Sequence, residues 1–517
     1  MSKPSRLQRL SKFGPLKLAP LKLALRTALI TAPLWIVAAP LTADPYDDRP
    51  PYNHPNETAS QLDPVPEIGF GCGGYDGCFS RHHEDEHRHE RPGLPQIMGK
   101  DSLLVDCGAR HSEPHRGFFA SVNEAAEHAP PNATILILPP SQGRTCVETV
   151  HIHKPVTLTT YGGSERAVIQ SEDGQPCLIA DLPLGDALIV DGVRFIARSD
   201  HAPCVAVEAG RVAMRNSSVD ARGTDWAFDV HESAELSIES TQIETDTSAV
   251  HARRARVAIR NLEIDIDARN RPAVLELDRS DCTDRSGGTI HGSVGLALEC
   301  SEGSVDGLSV IGGAIGVVAS AGTRGLRITD AKITKADTGV LLLPGQLGTV
   351  NVERPVVARA VHGIVVAPGA ESQITGAVVT DSRVAGISVF GASTLISGNK
   401  IVGAADGIEL LSEVTFPPLI NSLISPSGPD TPVSWHPQFG DDNGGPVVEN
   451  NLIANVRHAG IRVDSRVNGE PQRLNGKLIG NTIYARSPAV CIDDRYNDDP
   501  VRVRANTCNK EWLVWPF

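Results

Sequence analysis

The apolar positions of this chain come in short bursts separated by turn-forming residues, and between positions 295 and 411 one burst repeats: glycine, an aliphatic residue, any residue, an aliphatic residue. It reads Gly-Leu-Ala-Leu from Gly295, Gly-Val-Val-Ala from Gly316, Gly-Val-Leu-Leu from Gly339, Gly-Ile-Val-Val from Gly363, Gly-Ile-Ser-Val from Gly386 and Gly-Ile-Glu-Leu from Gly407, at steps of 21, 23, 24, 23 and 21 residues. One strand phrase per such period predicts a chain that coils and stacks on itself. Upstream, Leu178, Val205, Phe228, Val250 and Val274 hold the aliphatic position, and Ile461 and Val490 resume it downstream, for 13 rungs.

A second phrase runs half a turn out of step, centred on Val190, Met214, Ile238, Ile259, Val305, Ile328, Val352, Ile374, Ile396, Val448, Ile479 and Val503. Two residues after ten of these centres stands a turn former: Gly192, Asn216, Ser240, Asn261, Gly307, Asp330, Gly376, Gly398, Asn450 and Asn481. Such residues accept left-handed backbone or bond their own backbone, so each marks a corner. Two or three strands per turn with fixed corners is a β-solenoid, and no long stretch carries helical periodicity. The Gly-Ile-x-Val phrases with Asn or Gly corners resemble the repeat of right-handed parallel β-helices of the pectate-lyase-like type, over residues 104–515. The run Gly143-Arg-Thr-Cys-Val is similar to the opening coil of pectinesterase-like and periplasmic members. The resemblance implies an all-β, right-handed parallel β-helix, and the handedness comes from it alone.

The flanks read differently. Residues 1–43 carry seven basic residues, no acidic one and an apolar run broken by Pro33 and Pro40, the pattern of a secretory signal ending near Ala43. Its removal would take the net charge from −14 to −21, which disfavours nucleic acid and anionic membrane surfaces as partners and leaves no segment to insert in a membrane. Residues 44–100 form a Pro- and His-rich stretch with little aliphatic pattern, read as a disordered linker. Its run 81–91 packs four histidines among carboxylates without a fixed metal-ligand spacing, so it reads as a solvated charged run. The β-helix domain spans 101–517. Ser121 should N-cap a short helix to His128, with Glu124 three residues on, and that helix should cover the first coil. Insertions at 411–446 and 465–473 should overhang one face, and the aromatic terminus Trp512 to Phe517 should seal the far end.

Ten cysteines fall into five close pairs: Cys72 with Cys78, Cys107 with Cys146, Cys177 with Cys204, Cys282 with Cys300, and Cys491 with Cys508. An even count in an exported chain favours disulfides between neighbouring coils, in a periplasmic or secreted protein.

Candidate chemistry sits in the position between the two inward aliphatics, which faces outward. Along the stack this row reads Ala206, Asp229, His251, Glu276, Ala297, Val318, Leu341, Val365, Ser388, Glu409, Arg462 and Cys491. Asp229 and His251 form a small polar group. Val318, Leu341 and Val365 form an apolar strip suited to a loop, the linker, a second copy or a protein partner. Glu409 and Arg462 open a charged group with His458, Asp464, Asp493, Asp494 and Arg495, in which Asp464 and Asp493 fall in one phase on successive rungs. Stacked carboxylates either repel, raising one pKa, or share a cation such as calcium. No resident cofactor or metal site is otherwise indicated. The candidate catalytic set is Glu409, His458, Arg462, Asp464 and Asp493, with Trp435, His436 and Arg495 as substrate contacts: the chemistry of a polysaccharide lyase, hydrolase or epimerase. The motif sets of pectin hydrolases are not met, with Val361-His-Gly-Ile and Arg327-Ile-Thr where a Gly-His-Gly and an Arg-Ile-Lys belong, and the Asp-Pro-His-Asp run of the periplasmic alginate epimerases is missing. The alternative is a non-catalytic surface scaffold that uses the apolar strip.

Overall fold

The computed structural model describes residues 101–510 except 163, 199–200, 268–292, 320–322, 344–347, 413–444, 468–469, 472–473, 475, 486 and 497–500. The expectations for the signal, the linker with Cys72 and Cys78, Val274, Glu276, Cys282, Trp435, His436 and the aromatic terminus lie outside those residues.

Among the described residues, three parallel sheets of 16, 14 and 13 strands wrap one continuous apolar core, and within each sheet neighbouring strands come from successive coils. The repeated phrase builds the third sheet. Its second position stacks in register as Leu296, Val317, Val340, Ile364, Ile387, Ile408, Ile461 and Ile492, all inward. The first seven have no exposed surface, so each coil contributes aliphatic area that only its neighbours remove from water. Two rung assignments change. Val250 pairs directly with Leu296, and Val150–Ile152 adds an opening strand beside Leu178. At the far end Ile492, not Val490, continues the inward column.

The glycines of the phrase are explained by space. A Cβ built on Gly295, Gly316, Gly339, Gly363, Gly386 or Gly407 would lie 2.2–2.7 Å from the carbonyl oxygen of the next glycine in the column. On Gly460 it would meet the Cys491 carbonyl at 2.7 Å and Ile483 at 2.3 Å. No side chain fits there, which is why the phrase begins with glycine on coil after coil.

From the strand Ala187–Asp191 onward, the described corners after the first sheet are left-handed, at residues 192, 216, 240, 261, 307, 330, 354, 376, 398, 450, 480 and 505. Nine of the ten expected turn formers hold that conformation. The tenth corner is Gly480 rather than Asn481, because the strand is centred on Leu478, in register with Val448. Asn481 instead belongs to a buried ladder. Asn399 Nδ2 donates to Asn451 Oδ1 at 2.9 Å, Asn451 Nδ2 to Asn481 Oδ1 at 2.9 Å, and Asn481 Nδ2 to Asn506 Oδ1 at 2.8 Å. Each of these amides also donates to a carbonyl of the preceding coil, so the polar groups inside the turn are satisfied.

The N-terminal end and three of the five expected staples follow the sequence reading. The helix Val122–His128 starts at Ser121, whose Oγ accepts from Glu124 N at 3.3 Å, and buries Val122, Ala125 and Ala126 against the first coil. Disulfides join Cys107 to Cys146, Cys177 to Cys204, and Cys491 to Cys508. Cys300 is also disulfide-bonded; Cys282, the partner expected for it, lies outside the described residues. Among the described residues no helix is long and apolar enough to cross a membrane.

Candidate functional site

The outward row of the third sheet is continuous in register: Ile179, Ala206, Asp229, His251, Ala297, Val318, Leu341, Val365, Ser388, Glu409, Arg462 and Asp493. His251 pairs directly with Ala297, and Glu276 lies outside the described residues. The last member is Asp493, not Cys491, because the strand enters two residues later than its aliphatics suggest. The middle of the row is buried: Val318, Leu341 and Val365 form a second apolar cluster with Trp226, Ile315 and Phe390, at 0%, 0% and 1% exposure. These three residues are therefore not a bare face in the folded chain.

The charged group assembles around Glu409, on the strand Asp406–Leu411. Ser388, directly opposite, donates its hydroxyl to Glu409 Oε2 at 3.0 Å. On the other side stands Arg462, with Nη1 3.8 Å from Glu409 Oε1 and 3.8 Å from Asp406 Oδ2, and Nη2 3.5 Å from Asp464 Oδ2. Asp406 Oδ1 accepts from Ala459 N at 2.9 Å, and its Oδ2 faces His458 Nδ1 at 3.7 Å. Glu409 and Asp406 are 4% and 3% exposed. Burial, together with the charge of Asp406, pushes the Glu409 carboxyl up to about 7, against the opposing pull of the Ser388 hydroxyl and the Arg462 guanidinium.

Asp464 and Asp493 do not stack. Arg462 stands opposite Asp493, and the register then shifts before Asp464, which stands opposite Tyr496. Each aspartate is gripped by the arginine two residues on: Arg466 Nε donates to Asp464 Oδ1 at 2.8 Å, and Arg495 Nε to Asp493 Oδ1 at 2.6 Å. For Asp464, burial pushes the pKa up but is outweighed by Arg466; for Asp493, the hydrogen bond from Arg495 is the main influence. Both end up below the usual carboxylate range. The expected pair of repelling carboxylates is thus found within one strand, as Asp406 and Glu409. Asp406 was missed from the sequence, although it stands alone as an acid in a column that otherwise reads Thr338, His362, Ala385 and Ala459.

The N-terminal polar group is larger than Asp229 and His251. His251 is stacked on Trp226, ring centroids 4.6 Å apart, and His231, Glu208 and Glu299 join it. Elsewhere among the described residues, the one close set of three metal-ligating side chains is Cys107, Cys146 and Glu148, where both thiols are already joined to each other.

Residues 362–511 match the family model described as the right handed beta helix region. The chain is a right-handed parallel β-helix. No curated protein matches it. Among solved structures, this β-helix is similar to the tailspike protein of Escherichia coli bacteriophage HK620 in complex with pentasaccharide, at 11% identity and a TM-score of 0.41, over 79% of each chain. It is also similar to the A-module of mannuronan C-5 epimerase AlgE6 of Azotobacter vinelandii, at 12% identity and a TM-score of 0.33, over 75% of this chain and 94% of that one. A family 6 polysaccharide lyase from Pseudopedobacter saltans gives 12% identity and a TM-score of 0.30, over 79% and 92%.

Proposed function

We propose that the chain is an exported β-helix that binds and modifies a cell-surface or extracellular polysaccharide, with Glu409 moving the proton. The observation that carries this reading is the Glu409 carboxyl itself, raised to about 7 by burial and by Asp406 on the outward row of the third sheet. At that value a carboxyl is divided between acid and base near neutral pH, so it can protonate a leaving oxygen or accept a proton from a sugar carbon. Arg462 supplies the counter-charge. Its contacts to Glu409 and Asp406 are both longer than a hydrogen bond, so a uronate carboxylate can compete for the guanidinium. Asp464 and Asp493 hold the neighbouring arginines in place, while His458 and Arg495, both mostly exposed, stand at the rim. Trp435 and His436, within the insertion that follows this strand, are assigned as further substrate contacts.

The disulfides are consistent with an oxidising compartment, and periplasmic or secreted placement belongs to the same reading. The scaffold alternative has less support, since Val318, Leu341 and Val365 are buried within the chain. The test is incubation of the purified protein with neutral and uronic-acid polysaccharides, with and without calcium, scoring reducing ends, unsaturated ends and uronate epimer ratio. Turnover that is lost in Glu409→Gln supports the assignment. Turnover unchanged in that variant, or neither turnover nor binding with any polymer, overturns it.

A further inference from the structure

Two histidines in the N-terminal half of the third sheet each face a carboxylate at both ring nitrogens, three of the four contacts being within 3.1 Å and the fourth, at His251 Nε2, longer than a hydrogen bond. His231 Nδ1 lies 2.8 Å from Glu208 Oε2, and its Nε2 lies 3.1 Å from Asp229 Oδ2. His251 Nδ1 lies 2.9 Å from Asp229 Oδ1, and its Nε2 faces Glu299 Oε2 at 3.7 Å. The five groups form one alternating line, Glu208, His231, Asp229, His251, Glu299, that crosses four successive strands of the sheet: Val205–Ala209, Trp226–Val230, Ser248–Arg253 and Val294–Glu299. One end is half exposed at Glu208 and His231. The other is buried, with the His251 and Glu299 side chains 8% and 6% exposed.

The chemistry of imidazole makes this arrangement sensitive to protonation. A neutral ring has one N–H and one lone pair, so it can donate to only one of two flanking carboxylates and turns its lone pair on the other. The imidazolium donates from both nitrogens. With both rings charged the line alternates in sign along its whole length; with both neutral it leaves three carboxylates close together, one of them enclosed. Beside the line stand the indole of Trp226, stacked on His251, and the guanidinium of Arg253, which acts on His231.

We propose that Glu208, His231, Asp229, His251 and Glu299 form a pH-sensitive clamp, which ties four coils together while both imidazoles are protonated and releases them as pH rises. The electrostatics run the same way. Burial lowers the His251 pKa, but Asp229 and Glu299 outweigh it and leave it raised, and the bond to Asp229 raises His231. A histidine with a raised folded-state pKa contributes stability that is complete below its unfolded value of about 6.5 and disappears as pH rises through the folded value. Asp229 sets the acid limit: burial raises it, the two histidines hold it well below the carboxylate range, and its contribution is lost only as pH falls through that low value. Release acts where Trp226 joins the apolar cluster of Ala297, Val318 and Leu341, so it frees the edge of that buried strip.

The test is a histidine-selective NMR titration of the intact, disulfide-bonded chain, with His231→Gln and His251→Gln for assignment, alongside hydrogen exchange of the same protein. Two rings should titrate above the ordinary histidine value, and Asp229→Asn should lower both. Between the ordinary histidine value of about 6.5 and the raised midpoint, the protection of strands Trp226–Val230 and Ser248–Arg253 should fall by up to about tenfold per pH unit for each histidine, after correction for intrinsic exchange, and level off above the midpoint. The strand Thr394–Ser397 should not respond. Wild-type rings that titrate at or below the ordinary value, or protection with the same pH dependence in His251→Gln, would overturn the clamp. The wild-type titration decides even if a variant does not fold.

Discussion

Arg462 stands directly across the third sheet from Glu409, with one guanidinium nitrogen 3.8 Å from Glu409 and 3.8 Å from Asp406. One cation therefore faces two buried carboxylates, and the charge balance is complete only while one of the two holds a proton. Removing the cation should make this worse. Arg462→Met is expected to raise the Glu409 pKa further and to lower stability at neutral pH by about 1–3 kcal/mol, with a smaller change at pH 4, where Glu409 holds its proton. Urea denaturation at the two pH values checks it.

Glu409 also gives a pH dependence of stability. Its folded value of about 7 lies above the ordinary glutamate value, so the folded state binds the extra proton between the two. By linkage, stability falls as pH rises from about 4.5 towards 7 and is flat on either side for this group. Glu409→Gln should remove that slope and become the more stable protein above pH 7.

The glycine column separates two kinds of glycine. Gly363→Ala places a Cβ 2.2 Å from the Gly386 carbonyl and should cost roughly 1–3 kcal/mol or more. Gly398 has open space around it but a φ of +65°, so Gly398→Ala should cost about 1–2 kcal/mol through backbone strain alone. Thermal unfolding of the two variants, side by side, should rank them in that order.

Much of this was legible in the sequence, and the gaps have particular causes. The glycine phrase was readable because the space it answers to recurs on successive coils. Corners were readable where the residue type favours left-handed backbone, and invisible at Arg354 and Ala505, where the coil beneath imposes it; Arg354 is tied to Asp330 of the preceding corner by two hydrogen bonds of 2.9 and 2.8 Å. Apart from Glu276, which lies outside the described residues, the outward row was correct as far as Arg462. Beyond it Val490 and Ile492 are both aliphatic and fit the phrase equally well, so the pattern does not show that Ile492 is the inward residue and Asp493 the outward one; the register shift between Arg462 and Asp464 then puts Asp464 opposite Tyr496, and no periodicity shows a one-residue irregularity of that kind. The His231 and Glu299 partners of the N-terminal group lie at strand ends, outside the position from which the row was read.

The asparagine ladder should behave as a unit. Asn451→Ala removes the oxygen that accepts from both the backbone and the side-chain nitrogen of Asn399, and each buried donor left without an acceptor should cost about 1–3 kcal/mol. Equilibrium unfolding of Asn451→Ala and Asn481→Ala, singly and together, should show coupling, because the two share a bond.

The disulfide between Cys177 and Cys204 closes a span of 27 residues. The double replacement by alanine should lower stability by about 3–4 kcal/mol on loop entropy alone. Non-reducing peptide mapping should recover this pair, together with Cys107–Cys146 and Cys491–Cys508.

The most direct test of the functional account is the pH profile of kcat/KM on the polysaccharide that the protein turns over, in wild type and in Asp406→Asn. Asp406 raises Glu409 by its charge, so the substitution should move one limb of the profile from near 7 to lower pH while activity persists. A limb that stays in place, or a profile with no limb near 7 in the wild type, would contradict the assignment of Glu409.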